Sequence, residues 1–157
     1  MTSVVLALPR RSLCAAAVGI LAAACSVTSP EQPANHSWQM KASAAAADVA
    51  SEVAVVVLVL EQDAKHRFFG RTAGVMVGQS EAAASAAATS FAALQPPPAE
   101  TARHLRVVQD LTSAVGAVSR ARMALVQGRT TIFAPLIADL ETRHDRLSRL
   151  ASTLKRE

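Results

Sequence analysis

Two short segments combine a carboxylate with a histidine three residues later, a spacing that can place two metal ligands side by side. Asp63 precedes His66 in this way, and Glu141 precedes His144. Residues three apart on a helix are neighbours, and carboxylate and imidazole groups both bind transition metals. The pattern raises the hypothesis of a metal centre shared by two helices.

Ferritin-like di-iron bundles use a carboxylate-x-x-His motif on two helices and one glutamate from each of two others. Glu81 and Glu100 are the nominal candidates for those glutamates. In an up-down bundle, however, Glu81 and Glu141 lie far along the axis from the end that carries His66, and Glu100 lies at the opposite end. Metal ligands must converge on one ion, so we expect no metal site and no cofactor. A metal- or small-ligand-binding bundle that uses His66 and His144 remains the alternative function.

Other signatures of catalysis are missing from the chain. The sequence contains no HExxH, GxSxG, P-loop or glycine-rich dinucleotide motif. Serines are frequent, but they stand in alanine-rich helical segments without a neighbouring base. Arg120 and Arg122 flank the buried stripe of the third helix; they either face a ligand groove or lie over apolar surface, as long cationic side chains commonly do. We therefore predict that the chain is not an enzyme.

The composition favours an all-α fold. The 157 residues suffice for one small domain, and 51% are hydrophobic although only 3% are aromatic. Alanine supplies much of the apolar content, and it is the best helix former. The formal net charge is +4, and no basic patch with interleaved aromatics is present, so nucleic acid is not an expected partner.

The N-terminus has the organisation of an export signal. Residues 1–11 end in the basic pair Arg10 and Arg11, and residues 12–24 form an uncharged apolar run. Such a run is too short to remain in a bilayer as a spanning helix. We predict a signal peptide at residues 1–24, whose removal lowers the net charge of the mature chain to about +2 because both arginines leave with it.

The end of this segment resembles the lipobox of bacterial lipoproteins. Leu21 and three alanines precede Cys25, although the family favours leucine where this chain has Ala22. With its Ala- and Val-rich composition, the chain resembles the small, uncharacterised helical lipoproteins of high-GC Gram-positive bacteria. The resemblance covers residues 10–25 and implies that the Cys25 thiol receives diacylglycerol. Acyl chains such as palmitate would then hold the protein on the extracytoplasmic face of the cell membrane.

Two other interpretations of the same residues stay open. Ala22, Ala23 and Ala24 also form the small-residue cleavage site of an ordinary secretory signal, and the basic pair fits a twin-arginine signal. Under the lipoprotein interpretation, Cys14 leaves with the signal and Cys25 is acylated, so no thiol remains for a disulfide or a thiolate metal site.

Residues 25–37 are predicted to form a flexible stalk that starts at Cys25, because this segment contains two prolines and several small polar residues and shows no periodicity. A helical bundle domain is predicted over residues 38–157. Trp38 would attach the stalk to this domain or touch the membrane interface.

In the first helix, apolar residues recur at Val49, Val53, Val56, Leu60 and Ala64. Residues 53–60 are predicted to be helical, with a buried strand as the alternative.

Three further helices follow. Gly70 is expected to end the first helix, and residues 71–94 to form the second. Gly70, Gly74 and Gly78 are spaced by four, which we interpret as a thin helix that a neighbour approaches closely. The prolines at 96–98 separate this helix from the third. Gly128 is expected to end the third helix, and Thr130 or Thr131 to cap the fourth. The predicted buried stripe of the third helix is Leu105, Val108, Leu111, Val115, Val118 and Leu125. That of the fourth is Phe133, Leu136, Leu140, His144, Leu147, Leu150 and Leu154.

Helices of this length joined by short loops predict an antiparallel up-down bundle of three to four helices. Together with the signal, this predicts a lipid-anchored extracytoplasmic protein that acts as a non-catalytic binding or scaffold module of the cell envelope. Its expected partners are the membrane, through the N-terminal lipid, and an envelope protein or polymer.

Overall fold

The computed structural model describes residues 35–67 and 71–156. They form four helices, α1 Asn35–Ala64, α2 Thr72–Ala92, α3 Thr101–Val126 and α4 Phe133–Arg156, and the 3₁₀ turns Pro98–Glu100 and Thr130–Ile132 lead into α3 and α4. No strand occurs in these two ranges, so the predicted helical bundle is confirmed and residues 53–60 are helix. The predicted signal peptide, Cys25 and most of the stalk lie outside the described residues, as do Phe68, Phe69 and Gly70.

The helices pack in an antiparallel up-down arrangement. Each helix contacts the next along the chain, and α4 returns to pack against α1. The Ser43 hydroxyl donates to the carbonyl of Ala151 over 2.9 Å, and His144 contacts the carbonyl of Ala50 over 3.0 Å. Because the residue numbers fall on α4 as they rise on α1, these two helices run in opposite directions.

The first helix supplies the centre of the core. Val49, Val53, Val56 and Leu60 are fully buried, as the spacing predicted. Ala64, the last member of the predicted stripe, is exposed because it is the final residue of the helix. Alanines fill much of the remaining interior, which keeps the helices close together; they include Ala42, Ala46, Ala84, Ala114, Ala117 and Ala121.

By length and composition alone, α1 is apolar enough to cross a membrane. An 18-residue window within residues 36–64 has a mean hydropathy of 1.9, and 44% of that window is buried inside the bundle. In the structure, the apolar side of α1 packs against the other three helices. This packing explains why the helix is so hydrophobic.

The predicted buried stripe of α3 is confirmed at Leu111 and Val118, which are fully buried, but it is wrong at Leu105, because the buried side of the helix is rotated by up to one residue. Leu105 is 63% exposed, and Val108 and Val115 are only half-buried. The residues that face the interior are His104, Val107, Leu111, Ala114, Ala117, Val118, Ala121 and Ala124. This stripe contains four alanines, and their small side chains let α3 lie close to the other helices.

The fourth helix follows its predicted pattern. Phe133, Leu140, Leu147 and Leu154 are buried, and Leu136, His144 and Leu150 are half-buried. Pro135 lies in the first turn, where its missing N–H costs no helical hydrogen bond. The basic residues Lys155 and Arg156 stand in the last turn, where they complement the helix dipole.

Two helices end in a residue with a left-handed backbone. Gly128 has φ +63° and follows α3, as predicted, and the N–H of Arg129 donates to the carbonyl of Ala124. The end of α1 has the same hydrogen-bonding pattern with His66 at the left-handed position, φ 53°. The prediction that this element extends to Gly70 is therefore wrong, because the terminating turn forms four residues earlier.

The close approach predicted at the glycines of α2 is also wrong for the two described ones. A Cβ added at Gly74 or at Gly78 would have no heavy atom within 4 Å. Both residues lie inside the helix, where glycine carries an entropic cost and makes no compensating contact. The closely packed positions of α2 are the buried alanines Ala73, Ala84 and Ala88.

We expect Gly74→Ala and Gly78→Ala each to raise the free energy of unfolding by about 0.4–1 kcal/mol, because alanine fits the space and restricts the unfolded chain. Urea unfolding followed by circular dichroism measures this. The control is Gly128→Ala, which should lower the free energy of unfolding since its φ of +63° strains an L-residue. Destabilisation by all three substitutions would contradict the open space around Gly74 and Gly78.

Candidate functional site

Three aromatic side chains meet where α1 begins. Trp38 is fully buried, and its ring centroid lies 6.1 Å from that of Phe91 and 6.3 Å from that of His104. The Trp38 Nε1–H donates to Nδ1 of His104 over 3.4 Å. Phe91 and His104 are themselves 4.8 Å apart. The cluster joins α1, α2 and α3, so the start of α1 is fixed within the bundle.

This cluster lies close in sequence to the predicted lipidation site. Cys25 precedes Asn35, the first residue of α1, by ten residues. The helix begins three residues before Trp38, where the domain was predicted to start, so residues 35–37 belong to α1 and not to the predicted stalk. Of the two roles considered for Trp38, attachment of the preceding segment to the bundle is the one that its burial supports.

The two predicted carboxylate-histidine pairs are far apart. His66 is exposed at the end of α1, whereas Nδ1 of His144 contacts the carbonyl oxygen of Ala50. From Ala50 to the end of α1 at Ala64 the helix rises about 21 Å at 1.5 Å per residue. The Nδ1–H of His144 donates to that carbonyl, which accounts for a histidine within an apolar stripe.

The glutamates proposed with them are also separated. Glu81 forms an ion pair with Arg122, which joins α2 to α3, and Glu100 lies 3.9 Å from Arg103 at the start of α3. Within the described ranges, no group of three or more His, Cys, Asp or Glu side chains is placed to hold a metal ion. Arg122 therefore joins two helices, a role that the sequence did not indicate.

A set of ion pairs connects α3 to α4. Asp139 accepts from Arg120 of α3 over 3.1 Å and from Arg143 of its own helix over 2.9 Å. Asp110 of α3 binds two nitrogens of Arg146 at 2.7 and 3.1 Å. The spacing of four residues on one helix favours the Asp139–Arg143 pair, whereas the contacts across the two helices depend on the fold.

The carboxyl of Asp139 is held in its charged form. Hydrogen bonding from Arg143 lowers the pKa of Asp139 below its usual value, partial burial opposes the shift, and Arg120 lowers the pKa further. Ser113 adds a contact with Arg143 across the same groove. These polar side chains bind one another and so connect α3 to α4 at the surface of the bundle.

Shallow grooves run between neighbouring helices. A groove of about 170 Å³ between α3 and α4 contains Asp110, Asp139, Arg143 and Arg146, while one of about 380 Å³ between α1 and α2 contains Lys41 and Asp48. The groove between α2 and α3, about 200 Å³, has no charged residue in its lining. The helix surfaces therefore differ in charge: this groove is neutral, whereas Asp63, Arg71 and Arg122 line a groove of about 440 Å³ at the other end of α2.

Comparison with protein-family models, with curated proteins and with solved structures gives no match. Function therefore has to follow from the residues of this chain and their arrangement.

Proposed function

We propose that this protein is a lipid-anchored, extracytoplasmic helical module of the cell envelope that acts by binding or scaffolding and not by catalysis. The support for the anchor is the apolar run of residues 12–24, the basic pair before it and Cys25 directly after it. A thiol at that position accepts acyl chains in bacterial lipoproteins, and two or more chains suffice for stable membrane attachment.

The observation that carries the proposal is the fixed start of α1. Trp38 is fully buried between α2 and α3, and it follows Cys25 by thirteen residues. The ten residues from Cys25 to Asn35 reach at most about 36 Å when fully extended. A lipid on Cys25 would therefore keep one defined end of the bundle near the bilayer.

The opposite end would then project away from the membrane. With 30 residues, α1 is about 45 Å long at 1.5 Å per residue. The charged side chains of α3 and α4 pair with one another and connect these two helices. The remaining sides of the bundle stay available for contacts. This arrangement suits a module that presents a helical surface to a partner.

Replacement of the anchoring sulfur tests the proposal. We expect Cys25→Ala to abolish incorporation of labelled palmitate and to release the protein from the membrane fraction or stall its processing. Cys14→Ala is the matched control and should leave both readouts unchanged, since Cys14 would leave with the signal. Mass spectrometry of the mature N-terminus should show an acylated cysteine as the first residue.

An unmodified Cys25, or an intact Met1 in the mature protein, would contradict the anchor. So would equal membrane retention of the wild-type and Cys25→Ala proteins with normal maturation. Neither result would alter the bundle itself, because the described core is formed by residues of α1 to α4.

A further inference from the structure

Among the described residues, the three most exposed large hydrophobic side chains lie on α2 and α3. Val126 is 68% exposed, Leu105 63% and Val75 57%. Val75 and Val126 line one groove together with Arg122, and the neutral groove farther along is formed by the same two helices. This side of the bundle, which we call the α2/α3 face, has exposed apolar residues along its length, and charged residues of both signs, Asp63, Arg71 and Arg122, line it at the end near Val75.

On α3 the face follows a regular spacing. Its neutral members are three or four residues apart and all are exposed or half-exposed: Leu105, Val108, Thr112, Val115 and Ser119. The next step of three reaches Arg122, whose charge is paired with Glu81, and a step of four reaches Val126. Alternating steps of three and four mark the contact seam of helices that pack side by side.

The same spacing occurs on α2. Its exposed or half-exposed residues at alternating steps of three and four are Val75, Gly78, Ala82, Ser85, Thr89 and Ala92. Within the whole of α2, Glu81 is the single charged residue. Two neutral stripes with helix-packing periodicity therefore lie next to each other and are not covered by another part of the described chain.

We propose that the α2/α3 face binds a second copy of this chain, giving a dimer with twofold symmetry. In such an interface the same patch is buried on both subunits, so the patch must be self-complementary. A neutral patch meets this condition because like charges do not face each other. A strongly charged partner would find charges of both signs here and no net charge, because Glu81 neutralises Arg122 and Asp63 lies in the same groove as Arg71.

The area of the α2/α3 face is large enough for an interface with a second copy of the chain. A helix of 21 residues is about 31 Å long, and two neighbouring helices are about 20 Å wide, which gives a footprint of roughly 600 Å² on each copy. The total of about 1,200 Å² exceeds the roughly 1,000 Å² expected of a specific interface. Small residues such as Ala82 and Ser85 allow the two helix pairs to approach closely.

A lipid surface fits the face less well. Helices that lie on bilayers present Trp, Phe and Leu flanked by lysine and arginine. The α2/α3 face contains Leu105 but no aromatic residue; Arg122 is paired with Glu81, and Arg71 shares its groove with Asp63. The face therefore lacks the aromatic anchors and the net positive charge that favour membrane binding.

Sedimentation of the detergent-solubilised full chain tests the dimer, with Leu105→Arg as the disruptive variant and Leu58→Arg as its control. Both leucines are exposed on helices, 63% and 54%, and only Leu105 belongs to the face. We expect a wild-type dimer, and a dissociation constant at least about tenfold higher for Leu105→Arg, because each dimer buries the new charge twice. Leu58→Arg should match the wild type. A monomeric wild type, or equal weakening by both variants, would overturn the proposal.

Cross-linking in membranes provides a second test that does not depend on the stability of an arginine variant. Thr112→Cys places a thiol on the α2/α3 face, and Thr142→Cys places one at an exposed position in the α3/α4 groove. A short bis-maleimide should give a product of twice the chain mass with Thr112→Cys alone. Equal products from both variants, no product, or a product of another mass would overturn the second copy as occupant. The sedimentation readout does not require a lipid on Cys25, so failure of the dimer is separable from failure of the anchor.

Discussion

Replacement of Trp38 by alanine is expected to lower the free energy of unfolding by about 3–5 kcal/mol, the range for truncation of a large buried aromatic side chain. Trp38 is fully buried and contacts Phe91 and His104 on two other helices. Alanine would leave a cavity between three helices, and Nδ1 of His104, a residue only 6% exposed, would lose its hydrogen-bond donor.

Urea unfolding followed by far-ultraviolet circular dichroism measures this loss, since the variant has no tryptophan fluorescence. Trp38→Phe retains an aromatic ring without the N–H donor and should lose less stability. Met40→Ala serves as a neighbouring control, because Met40 is 52% exposed. A loss below about 1 kcal/mol for Trp38→Ala would contradict its role as the residue that fixes the start of α1.

Leu111→Ala is expected to lower the free energy of unfolding by about 2–5 kcal/mol, whereas Leu105→Ala should change it by no more than about 0.5 kcal/mol. Leu111 is fully buried, and Leu105 is 63% exposed. The two leucines stand on the same helix, six residues apart, so the comparison measures burial with the residue type held constant.

The comparison should be made at low protein concentration, so that any dimer formed through Leu105 does not contribute to the measured stability. Thermal and urea unfolding of both variants provide the measurement. Equal destabilisation by the two substitutions would mean that α3 buries the stripe predicted from its sequence, and that the observed rotation of this helix is wrong.

The rotation of α3 shows where a sequence pattern is insufficient. Two stripes compete on this helix, one with larger residues such as Leu105, Val108 and Val115, the other rich in alanine around Leu111. The sequence favoured the larger residues because they bury more apolar area. The fold buries the alanines because small side chains allow close helix packing, and that distance is a property of the assembled bundle.

The histidines show the same limit for the candidate site. The carboxylate-x-x-His spacing was visible in the sequence, but the separation of His66 from His144 depends on which parts of α1 and α4 lie side by side. Likewise, the spacing of Asp139 and Arg143 indicated their pair, while the contact of Asp139 with Arg120 arises because α3 and α4 meet there. No local pattern encodes a contact between residues on different helices.

The sequence by itself determined the helical class, the break at the prolines, the end of α3 at Gly128 and the buried side of α4. These features depend on local properties: alanine content, the missing N–H of proline, the φ of glycine, and leucines spaced opposite to charges. Only the tertiary structure decided which side of α3 is buried, where Trp38 packs and which surface stays neutral and uncovered. Those outcomes depend on how closely four helices approach one another, which is set by all of their side chains together.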